Sequence, residues 1–152
     1  MIRLNRLTDY AIVVLSRMGQ EPGVRTAPQL AQDTGVPLPT VAKLLKTLAA
    51  DGIIVSHRGA AGGYALSRPA EAISVARIIA SLEGPIALTA CVEGSGNHCE
   101  VERLCPMRGN WEKVNGAIRT ALEALSIADM TPVAMPPAFG FEVAPGDHAA
   151  RA

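Results

Sequence analysis

Aromatic side chains are scarce in this chain, with two Phe, two Tyr and one Trp among 152 residues. Because 49% of the residues are nonetheless hydrophobic, a core is expected, and it must be aliphatic. Long apolar runs are lacking too. Nothing approaches the ~20 residues needed to cross a bilayer, and the opening MIRLNRLTDY carries no apolar signal segment. A soluble cytoplasmic protein without a membrane partner is expected. No glycine-rich phosphate loop is present, no nucleophile–base pairing beyond His98 beside Cys99, and no room for a substrate domain. Together these count against an enzyme and against a small-molecule substrate. Internal repeats and long linkers are absent. Net charge is also lacking, since 14 Lys and Arg balance 14 Asp and Glu.

That balance hides an asymmetry. Residues 1–69 hold eight Lys or Arg against four Asp or Glu, whereas residues 70–152 hold six against ten. The first half carries a surplus of four positive charges and is a candidate polyanion-binding unit, while the acidic remainder favours solubility.

The basic half has the pattern of a winged helix-turn-helix. Leu7, Ala11, Val14, Leu15 and Met18 recur at helical spacing, which predicts a helix over about 8–20 with Thr8 as its cap and Gly19 near its stop. EPGVRT reads as a loop. Leu30 and Ala31 sit on a short helix ended by Gly35, and Pro39 occupies a first-turn position of the next helix, where a missing N–H costs little. Val41, Leu44, Leu45 and Leu48 form the buried stripe of that helix, and Gly52 ends it. Two β-prone runs follow, 53–57 and 64–67, joined by Arg58-Gly59-Ala60-Ala61-Gly62-Gly63, a connection suited to a tight reversal. Ser74 caps a further helix bearing Val75, Ile78, Ile79 and Leu82, which Gly84-Pro85 ends.

A second helix of a helix-turn-helix lies in the DNA major groove and presents the side chains that avoid the core. Here those are Thr40, Lys43, Lys46 and Thr47, with Pro39 at the leading end. The lysines suit phosphates, and Thr40 suits a base edge or a thymine methyl. Arg58 at the wing tip suits a narrow minor groove. A single lysine on a helix is usually a solvated charge, and a lone arginine in a turn is usually just that. The coincidence of helix spacing, glycine wing and basic surplus carries the DNA reading.

All three cysteines lie in CVEGSGNHCEVERLCPMRGNW, residues 91–111. An odd count leaves one thiol over in any disulfide framework. Clustered thiols in a reducing compartment are more often metal-binding or redox-active than structural. The spacings, seven residues and then five, match no short zinc knuckle, so weight moves toward an iron-sulfur site, with a metal-free thiol switch as the alternative. After the loop, Trp111, Val114, Ile118, Leu122 and Leu125 step by three or four, predicting an amphipathic helix over about 108–127. The small winged domain covers one face of such a helix, and a second copy of the same helix is its natural partner. The expected fold is therefore mainly α with a small β wing. It comprises a winged helix-turn-helix over 1–85, a cysteine loop over 86–107, a dimerisation helix over 108–130, and a disordered proline-containing tail over 131–152.

Taken together, the run Val41-Ala42-Lys43-Leu44-Leu45-Lys46, the wing through Tyr64-Ala65-Leu66, and three cysteines followed by Trp111 resemble the Rrf-two family of winged-helix transcription regulators. The resemblance spans about residues 1–130, and within the family it looks closest to regulators of the SUF iron-sulfur assembly system. It implies a homodimer that binds double-stranded operator DNA as a repressor, with an iron-sulfur cluster of two-iron or four-iron type held by Cys91, Cys99 and Cys105. It also implies that cluster loss, oxidation or nitrosylation alters DNA affinity, as in a nitric-oxide sensing repressor. The fourth ligand departs from the iron-sulfur biogenesis regulators of the family, which carry a histidine where this chain has Arg108. Asp9 matches the position from which a nitric-oxide sensing member supplies a carboxylate across the dimer, and His98 is the local alternative. Ala42 stands where some cluster-sensing relatives carry an acidic residue, so their operator preference does not transfer.

Overall fold

The computed structural model describes residues 3–96, 99–101, 104–107 and 109–132. Helix α1, Arg6–Gln20, opens the chain and buries Ala11, Val14, Leu15 and Met18. Its cap is Asn5, whose side chain accepts from the Thr8 N–H at 2.9 Å, and not Thr8 as expected. Thr8 is fully buried and its hydroxyl donates to Glu83 Oε1 at 2.5 Å. Gly19 lies in the last turn of the helix, near its stop as expected. A Cβ there would stand 3.1 Å from the Ala70 Cβ, so the missing side chain admits the 3-10 turn Ala70–Ala72 against α1.

Helix α2, Ala27–Thr34, starts on a capping box in which Thr26 and Gln29 exchange side-chain and backbone bonds. It stops at Gly35, whose left-handed backbone (φ 73°) donates its N–H to the Ala31 carbonyl. Val36 turns inward, and helix α3, Leu38–Ala50, begins after Pro37 with Pro39 in its first turn. Its predicted stripe of Val41, Leu44, Leu45 and Leu48 is buried, and these side chains meet those of α1 and Leu30 in one core.

Strands β1, Ile54–His57, and β2, Gly63–Leu66, form the antiparallel wing, in register from Ile54 opposite Leu66 to His57 opposite Gly63. Arg25, expected in a loop, adds a rung to this sheet. Its N–H donates to the Tyr64 carbonyl at 2.8 Å and its carbonyl accepts from the Tyr64 N–H at 2.7 Å. The neighbouring Gly63 has φ 155°, and a Cβ on it would lie 2.6 Å from the Arg25 carbonyl oxygen, so only glycine lets the two backbones close up.

Helix α4, Val75–Glu83, is capped by Ser74 as expected and buries Val75, Ala76, Ile78 and Ile79. Helix α5, Asn110–Glu123, follows the cysteine loop and packs on α4. It is shorter than the predicted 108–127 stretch. Ser126 begins a separate turn, α6, Ile127–Met130, through a capping box with Asp129, and the chain must break from α5 to form it. The break is held by long-range backbone bonds: the Val75 N–H donates to the Leu125 carbonyl (2.8 Å) and the Ile127 N–H to the Ile73 carbonyl (2.9 Å). Ile127 is thereby inserted, fully buried, into the same core as α1 and α3. On α5, Trp111 and Val114 remain 40% and 45% exposed, leaving an apolar edge open beside the face that meets α4. Among the described residues no helix is long and apolar enough to cross a membrane. The tail reading beyond Pro132 lies outside the described residues.

Candidate functional site: DNA-reading face and cysteine loop

On α3, Pro39, Lys43 and Lys46 are exposed, as expected of an outward face, and Ala42 stands exposed among them. Thr40 and Thr47 are half-buried at its margin, and the Thr47 hydroxyl donates back to the Lys43 carbonyl at 3.2 Å. Arg58 sits exposed at the turn of the wing. Lys43, Lys46 and Arg58 make no ion pair among the described residues, so their charge faces solvent. Two other basic groups of this half behave differently. Arg17 meets Asp33 (3.2 Å) and Glu21 (2.8 Å), and Arg25 meets Asp33 (2.8 Å) and Glu21, a quartet that joins α1 to α2 and the wing rung. Two cations and two carboxylates cancel there. Among the described residues Arg3, Arg6 and Arg68 are likewise exposed without an ion pair, so the charge available to a polyanion lies on α3 and the wing and also at the start of α1.

Helix α4 connects this face to the rest. Asp51, at the end of α3, accepts from the Ser81 hydroxyl through its carboxylate and from Arg77 Nη2 through its carbonyl at 3.0 Å. At the far end of α4, Glu83 accepts from the Asn5 N–H (3.0 Å) as well as from Thr8. The carboxylate lies at the positive end of the α1 dipole, where it is favoured. Asp9, one residue on in the first turn of α1, is exposed and projects from this anchored end.

The cysteine loop leaves α4 at Gly84 and reaches α5 at Asn110. Cys91, Cys99 and Cys105 are all free and half-buried. The Cys91 sulfur lies 3.2 Å from the Thr89 hydroxyl. Three thiols on one short segment are a donor set suited to soft iron centres, so the chemistry of these residues fits a cluster. Their positions in the single chain are not yet those of a closed site: among the described residues no three His, Cys, Asp or Glu side chains converge enough to hold a metal ion. Asp9 therefore belongs to no such group of three ligands within one chain; His98 and Arg108 lie outside the described residues.

Sequence reasoning missed Asn115. It is fully buried on α5, its Oδ1 accepts from the Leu88 N–H at 3.1 Å, and its Nδ2 donates to the Ile86 carbonyl at 2.8 Å. The signal was a polar residue interrupting the apolar face between Trp111 and Ile118. One turn earlier, Glu112 Oε2 accepts from the Glu93 N–H at 3.1 Å.

A helix-turn-helix with an exposed basic second helix, a basic two-stranded wing and a cysteine loop set between two packed helices defines a DNA-binding transcription regulator of the winged-helix class. The Rrf2 family, described as an iron-dependent transcriptional regulator, matches residues 4–132. The chain belongs to this family, and is a regulator rather than an enzyme. It is 30% identical over 134 residues to the transcriptional repressor NsrR of Streptomyces coelicolor, covering 85% of this chain and 88% of that one. Among solved structures it is similar to IscR of T. potens, with a TM-score of 0.61, 27% identity and 85% of each chain covered. The fold is also that of CymR, the global cysteine regulator of B. subtilis, with a TM-score of 0.67 at 24% identity over 86% of this chain and 96% of that one.

Proposed function

We propose that this protein is an iron-sulfur cluster-responsive repressor that binds operator DNA as a homodimer and controls iron-sulfur assembly or related stress genes. The observation that carries the reading is the confinement of all three cysteines, free and half-buried, to the one segment between α4 and α5 of a chain whose family is described as iron-dependent. The similarity to a transcriptional repressor supports the direction of regulation. When bound, a cluster supplies a centre that oxidants and nitric oxide can degrade. Cys91, Cys99 and Cys105 hold it, with Asp9 of the partner subunit as the fourth ligand and His98 as the local alternative.

The chain's own part is mechanical. Ligation by the loop and by Asp9 fixes the first turn of α1, which Glu83 ties to α4; α4 is tied in turn, through Asp51, to the end of α3. The spacing of the two α3 helices in the dimer then depends on whether the loop is closed. The apolar edge of α5 at Trp111 and Val114 supplies the dimer contact. Such a device switches only if closed and open loops differ in their preference for the DNA-binding geometry. On DNA, Lys43 and Lys46 meet phosphates, Pro39, Thr40 and Thr47 line the groove-facing side, and Arg58 enters the minor groove.

The test is anaerobic purification, an absorption spectrum, and iron and sulfide counts on wild type, Cys99→Ala and Asp9→Ala. A brown protein with stoichiometric sulfide that bleaches in Cys99→Ala supports the cluster, and a changed spectrum in Asp9→Ala supports the fourth ligand. A colourless protein without iron or sulfide overturns the reading. It would favour a second one, a metal-free thiol switch, for which the observation is that, among the described residues, the three free sulfurs do not converge with other ligands in the single chain.

A further inference from the structure

The leading end of α3 presents apolar groups where base-reading side chains are needed. Over Leu38–Ala50 the sequence holds no Arg, Asn, Gln, Asp or Glu. The guanidinium that reads guanine, the amide that reads adenine and the carboxylate that accepts from cytosine therefore have no counterpart on this helix. Pro37 and Pro39 carry no N–H, and the Thr40 and Val41 N–H groups both donate to the Pro37 carbonyl, at 2.9 and 3.0 Å. What faces solvent at this end is Leu38, 43% exposed, together with Pro37, Pro39 and Ala42. With 3.6 residues per turn, the exposed side chains of α3 span an arc of about 140° and are sorted across it. Leu38 and Ala42, four residues apart, form one edge, Pro39 and Lys46 lie in the middle, and Lys43 forms the other edge, beyond which come the half-buried Thr40 and Thr47. The Thr47 hydroxyl is already committed to the Lys43 carbonyl. One exposed leucine means little elsewhere on a surface. Here it stands at the start of the helix whose N-terminal residues meet base edges, on the same face as two lysines that make no ion pair among the described residues.

We propose that α3 selects its operator through thymine methyl groups, which Leu38 and Ala42 cover in the major groove while Lys43 and Lys46 hold phosphates. This deepens the DNA-binding reading and rests on it. The methyl of thymine is the apolar group that a base edge offers in the major groove, so it is the feature that an aliphatic edge can recognise. A thymine at the contacted position buries its methyl against Leu38. A cytosine there turns its amino donor toward a surface with no side-chain acceptor and loses its water, so the same edge favours one pyrimidine and disfavours the other. Leu38 and Ala42 are thus specificity-determining residues, and the lysines set affinity without setting sequence.

The experiment begins with selection of a tight-binding duplex from a random-sequence library by the full-length, anaerobically purified protein. Each thymine of that duplex is then replaced in turn by deoxyuridine, which keeps every hydrogen-bonding group and removes only the methyl, and affinity is read by fluorescence anisotropy. At one or two thymines of each half-site the replacement is expected to weaken binding roughly fourfold, the effect of one buried methyl, and about fifteenfold when both half-sites are changed. This arm needs no protein variant. Leu38→Ala should bind the thymine duplex more weakly and lose most of the discrimination between thymine and deoxyuridine at those positions. Lys43→Ala and Arg58→Ala should weaken binding to both duplexes and keep their ratio, which separates a methyl contact from a change in DNA shape. Deoxyuridine effects below twofold at every position, or a Leu38→Ala variant with the wild-type ratio, would overturn the proposal while leaving DNA binding in place. A protein that enriches no duplex at low salt would overturn the DNA-binding reading and this inference with it.

Discussion

Neutralising Lys43 and Lys46 together should weaken DNA binding and lower its salt dependence, and the expected size follows from which free cations lie on the DNA-reading face. Of the basic side chains in the first half, Arg17 and Arg25 are spent on Asp33 and Glu21, whereas Arg3, Arg6, Lys43, Lys46, Arg58 and Arg68 face solvent, and of these Lys43, Lys46 and Arg58 lie on the proposed DNA-reading face. In the proposed dimer, two copies of those three side chains make about six phosphate contacts, which corresponds to a slope of log K against log salt of about −5 on duplex DNA. Lys43→Ala with Lys46→Ala leaves the two wing arginines and a slope of about −2. The assay is fluorescence anisotropy of a labelled operator duplex, titrated at several salt concentrations for wild type, the lysine pair variant, and an Arg17→Gln, Arg25→Gln control. The control should keep the wild-type slope although it loses stability. A lysine variant with an unchanged slope, or a control whose slope falls as far, would show that the free charge has been assigned to the wrong side chains.

Other perturbations reach the scaffold. Ile127→Ala opens a cavity in the shared core and should cost about 2–5 kcal/mol in urea unfolding followed by Trp111 fluorescence, as typical for a buried isoleucine; a loss within error would mean that α6 contributes nothing to the core. Gly63→Ala forces a Cβ against the Arg25 carbonyl and should raise amide exchange at Arg25 and Tyr64 selectively, while the exchange of α3 stays at its wild-type rate. The Asp129 carboxyl sits below the ordinary aspartate value of 3.8 because the Ser126 side chain and backbone both donate to it. A depressed folded-state pKa contributes stability that is present above that ordinary value and lost as pH falls through the lower folded one. The carboxyl titration followed by NMR should therefore have its midpoint below 3.8, and in Ser126→Ala it should move up.

The parts of this fold written in short-range pattern were legible in the sequence. The apolar stripe of α3, the left-handed Gly35 between α2 and α3, the glycine wing and the Ser74 cap each depend on residues within a few positions of one another. The parts that were not legible depend on partners far along the chain. Thr8 looks like a cap from its neighbours, and becomes a buried donor only because Glu83 arrives 75 residues later. Arg25 reads as loop until Tyr64 pairs with it. The stepping from Trp111 to Leu125 favours one continuous helix, and what interrupts it is a bond from Val75 to the Leu125 carbonyl together with the local Ser126–Asp129 box. Asn115 was overlooked because periodicity weighs apolar residues, and a polar side chain within an apolar face announces only that something must satisfy it. The cysteines were legible as a chemical set, but spacing alone carries no information about their burial, which is intermediate for all three.

Ser74 and Ser126 face each other across an antiparallel bridge, so the stretch that begins with α4 and ends after α5 starts and finishes at a single rung. Everything between them, α4, the cysteine loop and α5, is a ring closed on that rung. The free energy of closing a flexible ring grows only logarithmically with its length, about 0.6 kcal/mol for each doubling. Residues inserted or deleted around Cys99 and Cys105 therefore change the ring's circumference at little cost to the rung. A chain built this way can change the spacing of its cysteines while α3 and the wing keep their shape.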